Sequence, residues 1–311
     1  MNNAMRRRRI FDLYSNNFKQ FCDSPISNIT DRDNNKIEKI DDLYYVCPIC
    51  YRAFDSKCLD QTLDNPLTLE HTPIDSLGGK ALILTCKQCN NRSGENLDKL
   101  LKMGSDQTGG GEYQIKMSLE GSNLYETMMT VDIEEGKLKK VNISHPKKHP
   151  YADRQIEKLK GNWEGVKIEG TFEVPNEEKF NAALLRTAYL LAFQHLGYSY
   201  LFSEGAKIIR DQFLNPIDKI IKPIFAKKSP SLKKFEGINL LTESKDLKAL
   251  FVIFSIKTKT YSYLYGVLLP GPFEEHVNSY MNYKRKEEKF RFISIGKGEY
   301  LENVNLYFEL W

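Results

Sequence analysis

Two Cys-x-x-Cys pairs, Cys47-Pro-Ile-Cys50 and Cys86-Lys-Gln-Cys89, constrain this chain more than any other feature, because four thiols that meet at one point fix two distant stretches in space. Thiolates three residues apart on a tight turn both reach one Zn²⁺ at about 2.3 Å, and two such turns complete a closed tetrahedron. A closed site of this kind is structural rather than catalytic. The spacing therefore predicts that Cys47, Cys50, Cys86 and Cys89 converge around one structural Zn²⁺. The competing use of the same cysteines, as disulfides, needs an oxidising compartment, and nothing else in the chain suggests one. Cys22 and Cys58 are left over and read as free buried thiols.

Between and just after the pairs lies LTLEHTPIDSLGGKALILTCKQCNNRSGENLD, Leu67 to Asp98. Leu67 to Glu70 is a short β-rich run that delivers Glu70 and His71 to a strand end, and Thr72-Pro73 stops it. A loop closed by Gly78-Gly79 leads into a second apolar run, Ala81 to Thr85, so two antiparallel strands joined by a long loop are expected. The leucines at 97, 100 and 101 predict a helix over Gln88 to Lys102, starting near Cys89 and carrying Asn90 in its first turn. The order is strand, loop, strand, helix.

An acidic-His pair, a Gly-Gly turn and a Cys-x-x-Cys-Asn in this order resemble the HNH (ββα-metal) endonuclease family, in particular its zinc-braced members. The resemblance covers about the first third of the chain. It implies that His71 is the general base that activates water against a scissile phosphate, and that Glu70 and Asn90 hold a catalytic Mg²⁺ or Mn²⁺. Imidazole suits the first role because its ordinary pKa of about 6.5 leaves it proton-accepting near pH 7. An oxygen pair from a carboxylate and an amide suits a hard cation. Where many family members place an asparagine at the start of the second strand, this chain has Lys80-Ala81, so Lys80 and Asn91 are the candidates for positioning substrate. The resemblance further implies DNA as substrate, with RNA as the alternative, and a role beside partner proteins of a bacterial or phage-linked defence or restriction system. A reading from another class is a zinc-ribbon protein that binds nucleic acid without cutting it, since the cysteine frame would persist with Glu70 and His71 idle.

Over 311 residues, 41% hydrophobic and 12% aromatic content supplies about two packed cores. The Arg6 to Arg9 run lacks the apolar stretch of a secretory leader after it, and reads as a solvated basic tail or a phosphate grip. The apolar runs Leu184 to Phe193 and Leu250 to Ile256 fall short of the ~20 residues of a membrane span, so a cytoplasmic protein without membrane association is expected. Residues 1–110 carry 15 basic and 15 acidic side chains, so the whole net charge of +4 lies beyond them. A polyanion then needs another grip. Residues 215–234 hold six lysines against one aspartate, and Lys227, Lys228, Lys233 and Lys234 are the candidates, with a solvated linker as the bland alternative.

The glycine cluster at 109–111 marks an expected boundary, giving a nuclease domain over 1–110 and an α+β domain over 111–311 as sensor or target selector. Asn28 to Asp33 reads as a turn-rich loop, and Leu43 to Val46 as the strand entering the first knuckle. Runs at Tyr113 to Leu119, Tyr125 to Ile133, Lys137 to Ile143 and Val166 to Val174 predict a β-meander. His145 and His149, four apart without a third ligand, read as a surface loop. Asn176 caps an expected helix that is apolar on most faces and belongs at a domain centre, with His195 as a core histidine. A shorter helix over Gly205 to Leu214 follows. Later strands fall within Leu247 to Leu269 and over Phe290 to Ile295, with Tyr261, Tyr263 and Tyr265 on one face for packing or base stacking. The class is α+β.

Overall fold

The computed structural model describes residues 2–22, 43–119, 125–134, 137–144, 166–169, 176–227, 230–242, 247–258, 262–283 and 291–295. It is a mixture of helices and antiparallel sheets, and among these residues no helix is long and apolar enough to cross a membrane.

The chain opens with α1 (Asn3–Cys22), so Arg6 to Arg9 lie in a helix and not in a tail. The signal for it is the spacing of Phe11, Tyr14 and Phe18, three or four residues apart and all buried. β1 (Tyr45–Val46) and β2 (Ala53–Phe54) form the ribbon that carries the first cysteine pair. β3 (Leu67–Thr72) then pairs antiparallel with β4 (Lys80–Cys86), placing Leu67 opposite Cys86 and Thr72 opposite Lys80. Between them, Gly78 adopts a left-handed φ of 81°, and a Cβ on Gly79 would fall 1.4 Å from the Pro73 carbonyl oxygen. The two glycines thus answer different demands, one conformational and one steric. α2 (Lys87–Ser93) starts two residues earlier than expected, which still leaves Asn90 in its first turn. A π-helical stretch, Gly94–Asp98, joins it to α3 (Lys99–Gly109).

α4 (Glu177–Leu201) is the expected central helix, buried on most faces, with Asn176 Oδ1 accepting from the Lys179 amide as its cap. Gly197, at φ 63°, interrupts it near its end. α5 (Glu204–Leu214) is capped by Ser203. A five-stranded sheet follows from β9 (Ile224–Lys227), β10 (Gly237–Leu241), β11 (Ala249–Lys257), β12 (Ser262–Pro270) and β13 (Phe292–Ile295), in the order β13-β10-β11-β12-β9. α6 (Glu274–Asn282) lies between the last two strands in sequence. Tyr263 and Tyr265 are buried, so that face of β12 is packed and offers no platform for bases, while Tyr261 lies outside the described residues.

The chain does not divide by a single cut near residue 110. One compact unit comprises Met1–Leu101, Asn176–Ile256 and Tyr263–Trp311, and the other comprises Lys102–Pro175 with Lys257–Ser262. The physical reason is that the region of the first cysteine pair completes its hydrogen bonds on α4. Tyr198 Oη donates to the Val46 carbonyl and accepts from the Val46 amide, each at 2.8 Å, and Tyr189 Oη donates to the Pro48 carbonyl at 2.6 Å. An aromatic cluster of Phe11, Tyr14, Tyr45, Phe193 and Tyr198 fills the space behind these contacts.

The second unit holds β5 (Gly110–Leu119), β6 (Tyr125–Glu134), β7 (Lys137–Ser144) and β8 (Val166–Glu169) in the order β7-β6-β5-β8, all antiparallel. The first three strands are the expected meander. β8 departs from it by returning beside β5, which makes the sheet a Greek key. His145 and His149 lie outside the described residues.

Candidate metal centre and the strand-loop-strand-helix around it

Cys47, Cys50, Cys86 and Cys89 bring their sulfurs within 4.8 Å of one another, and none of them forms a disulfide. Ligands about 2.3 Å from a tetrahedral centre stand about 3.8 Å apart, and the Cys50 and Cys86 sulfurs are 3.8 Å apart. The donor set fits a metal ion. The first knuckle closes by its own hydrogen bonds: the Tyr51 amide donates to the Cys47 carbonyl and the Cys47 amide to the Arg52 carbonyl, both at 2.9 Å. Closing the turn this tightly forces Tyr51 to a positive φ of 62°. That cost is offset by the side chain, whose hydroxyl reaches the Leu201 carbonyl at 2.9 Å and whose ring lies 3.9 Å beneath the Arg210 guanidinium. In the second knuckle Cys86 is the N-cap residue of α2 and Cys89 lies in its first turn, and the Cys86 amide donates to Cys47 Sγ at 3.5 Å. Burial pushes the Cys47 thiol up, aided by the surrounding thiols, so a cation is needed to hold it as a thiolate.

The hairpin delivers Glu70 and His71 as expected, at the point where the β3-β4 register shifts, with the first buried and the second partly exposed. His71 is partly exposed, its side chain retaining 38% of its accessible surface, with Nε2 3.8 Å from the exposed carboxylate of Asp75. Glu70 is buried, at 2% exposure. Its Oε2 accepts from the Thr85 hydroxyl at 2.9 Å, and its Oε1 accepts from Arg186 Nη2 at 2.8 Å. Asn90 turns its amide nitrogen to Thr68 Oγ1 at 2.9 Å and to the Leu69 carbonyl at 3.3 Å, which ties α2 to β3. The carboxylate expected as half of an oxygen pair for Mg²⁺ thus carries hydrogen bonds from Thr85 and Arg186, while Asn90 spends its amide nitrogen on β3. The carboxylate is occupied from within by a guanidinium.

Arg186 comes from the middle of α4, and its Nη1 also binds Asp98 Oδ1 at 3.0 Å. One cation thus serves two carboxylates. Burial alone would lower Arg186, but Glu70 and Asp98 outweigh it and hold its pKa above the ordinary value. Burial, the largest influence on Asp98, pushes that acid up, with Glu70 adding to it and Arg186 opposing it. Sequence reasoning missed this network. Its signal was available in Leu185-Arg186-Thr187, an ionised residue inside an otherwise apolar helix, which burial allows only with an anionic partner.

Of the substrate candidates, Lys80 opens β4 and is exposed, and Asn91 is exposed on α2. Lys227 ends β9, Lys233 and Lys234 are exposed on a 3-10 turn over Pro230–Phe235, and Lys228 lies outside the described residues. Cys58 is partly buried and directs its sulfur to Asp55 Oδ1 at 3.4 Å. Compared with known protein families, with curated proteins and with solved structures, the chain matches none.

Proposed function

We propose that the protein is a zinc-braced endonuclease of HNH type that hydrolyses phosphodiester bonds, with DNA as its substrate. The observation that carries this reading is the strand-loop-strand-helix clamped at its base by four converging cysteines, with a partly exposed histidine at the end of its first strand. Zn²⁺ suits the four thiolates because a closed all-sulfur tetrahedron favours a borderline-soft ion with no redox chemistry. His71 accepts a proton from the attacking water, with the Asp75 carboxylate 3.8 Å from its Nε2 adding a negative charge nearby. A bound Mg²⁺ or Mn²⁺ supplies stabilisation of the charge that develops on the phosphate and the leaving oxygen. The Asn90 side-chain oxygen and the Glu70 carboxylate are the groups that would hold it, the carboxylate being shared with Arg186.

His71→Ala should lower cleavage of plasmid DNA by about 10²–10⁴-fold while leaving the metal content and fold intact, because a general base serves only the chemical step. Cleavage assays of purified protein with Mg²⁺, Mn²⁺ or EDTA, on DNA and RNA in parallel, test the reaction and the substrate together. Equal rates for parent and His71→Ala protein would remove the assignment. The burial of Glu70 against Arg186 favours a second reading, a zinc-braced nucleic-acid-binding protein without catalysis, and that reading predicts binding with no metal-dependent cut.

Holding a polyanion requires cations that the hairpin region lacks in excess. Changing Lys227, Lys228, Lys233 and Lys234 to alanine in the inactive His71→Ala protein should flatten the log-log salt dependence of duplex binding by about 3 to 4. The loss should be equal for all sequences, since phosphate contacts position the duplex without reading bases. A slope that stays the same assigns the segment to solvent and turns attention to Arg6 to Arg9.

A further inference from the structure

Beside the cysteine cluster lies a cavity of about 400 Å³, bounded by the first knuckle, α2, the start of α4 and the end of α5. Its lining is graded. The inner part is apolar, with Ile49, Leu97 and Phe213 buried, and is bordered by Cys50 and the partly buried Cys89, whose sulfurs have acceptor capacity. Toward solvent the wall carries Arg92 and Asn96, both exposed, and the half-buried Lys179, beside an exposed apolar edge at Ile217. Arg210 stands between the two zones. Its guanidinium is fixed over Tyr51 at 3.9 Å, its Nη2 meets Asp211 Oδ1 at 3.2 Å, and its Nε is buried without a hydrogen-bond partner among the described residues.

We propose that this cavity binds a nucleoside phosphate. A flat, apolar ring with amino groups matches the inner zone, where apolar side chains offer a face and sulfurs offer acceptors. An anionic head matches the mouth, where Arg92, Lys179 and Arg210 outnumber Asp211. The volume lies within the range of small-molecule sites, which bury most of a ligand behind apolar walls and orient it by a few polar groups. Guanidinium groups are well suited to such a head because their planar fork pairs with two phosphate oxygens at once. The same chemistry is presented by a free mononucleotide and by the terminal nucleotide of a nucleic-acid strand. The site lies on the knuckle and α2 rather than at His71, so its occupant is a regulator or an anchor of the nuclease module and not the scissile nucleotide.

Calorimetric titration of the full-length protein with adenosine 5′-monophosphate, adenosine, inorganic phosphate and a short single-stranded oligonucleotide tests the assignment. The monophosphate should bind saturably and at least tenfold more tightly than either adenosine or phosphate alone. Arg92→Gln and Lys179→Gln, both with their heads toward solvent and so compatible with folding, should each weaken it on the order of tenfold, the size of one lost charge-assisted hydrogen bond. Binding of the oligonucleotide alone, lost in the same two variants, assigns the site to a strand end. Absence of binding by both nucleotides, or affinities unmoved by Arg92→Gln and Lys179→Gln, overturns the proposal. Because the readout is binding, a failure here is distinct from a failure to cleave.

Discussion

Cys86→Ser should cost the protein its bound ion and its cooperative unfolding transition together. A structural Zn²⁺ contributes apparent binding free energy on the order of 10–16 kcal/mol, which is comparable with the ~5–15 kcal/mol net stability of an ordinary domain. Cys86 is also the N-cap of α2 and donates its amide to Cys47, so its loss loosens both knuckles at once. The consequence extends beyond the hairpin, because the first knuckle hydrogen-bonds to α4 through Tyr189 and Tyr198. Acid should act in the same direction as the substitution. The Cys47 thiol is pushed up by burial, so protons compete with the ion for the sulfurs and metal is released as pH falls. Elemental analysis together with thermal melts of parent, Cys86→Ser and chelator-treated protein measures this. A parent that is folded, carefully purified and free of metal would refute it.

Arg186→Ala has the second largest expected effect, about 3–5 kcal/mol, because it leaves the buried Glu70 and the partly buried Asp98 without their cation. Arg186→Met is the informative companion. It restores volume but not charge, so a similar loss in both variants assigns the effect to electrostatics and a rescue by methionine assigns it to packing. The pH dependence has a definite sign. Asp98 already has a raised pKa in the folded protein, and removing the Arg186 charge that opposes burial raises it further. A raised folded-state pKa contributes stability at low pH that is lost as pH rises through that value. The deficit of the variants should therefore be larger at pH 8 than at pH 5. Urea unfolding at the two pH values checks this, and a loss below ~1 kcal/mol at both would show that Arg186 carries no such burden.

The Glu70-Arg186 pair also bears on the proposed phosphodiester hydrolysis. If Glu70 must share its carboxylate with a catalytic cation, the guanidinium raises the metal concentration needed for activity, since both cations compete for one anion. Metal titrations of cleavage by the parent protein would expose that competition as weak apparent affinity.

Several parts of this arrangement were legible in the residues alone. The spacing of Cys47, Cys50, Cys86 and Cys89 announced their convergence, because a turn that places two sulfurs three residues apart is a local property. Leu67 to Thr85 announced its hairpin by alternation and its two glycines, and Asn176 announced the start of α4 by capping. These signals share one physical basis, namely that short-range geometry is written within a few residues. Helix α1 has a local signal too, in the three- and four-residue spacing of the buried Phe11, Tyr14 and Phe18.

What only the tertiary structure decided were the partners reached over long separations. Glu70 carries the same local signature whether it faces a metal or a guanidinium, and the choice fell to Arg186, 116 positions away. The division into units was hidden for the same reason, since a glycine cluster near 110 marks a change in local chain character while Tyr189 and Tyr198 bind the knuckle from 141 and 152 positions downstream. The return of β8 beside β5 was likewise a choice among sheet edges that alternation cannot rank. Local pattern fixes an element and the face it buries, but which surface it meets depends on complementarity summed across the whole fold, and a single sequence does not display that sum.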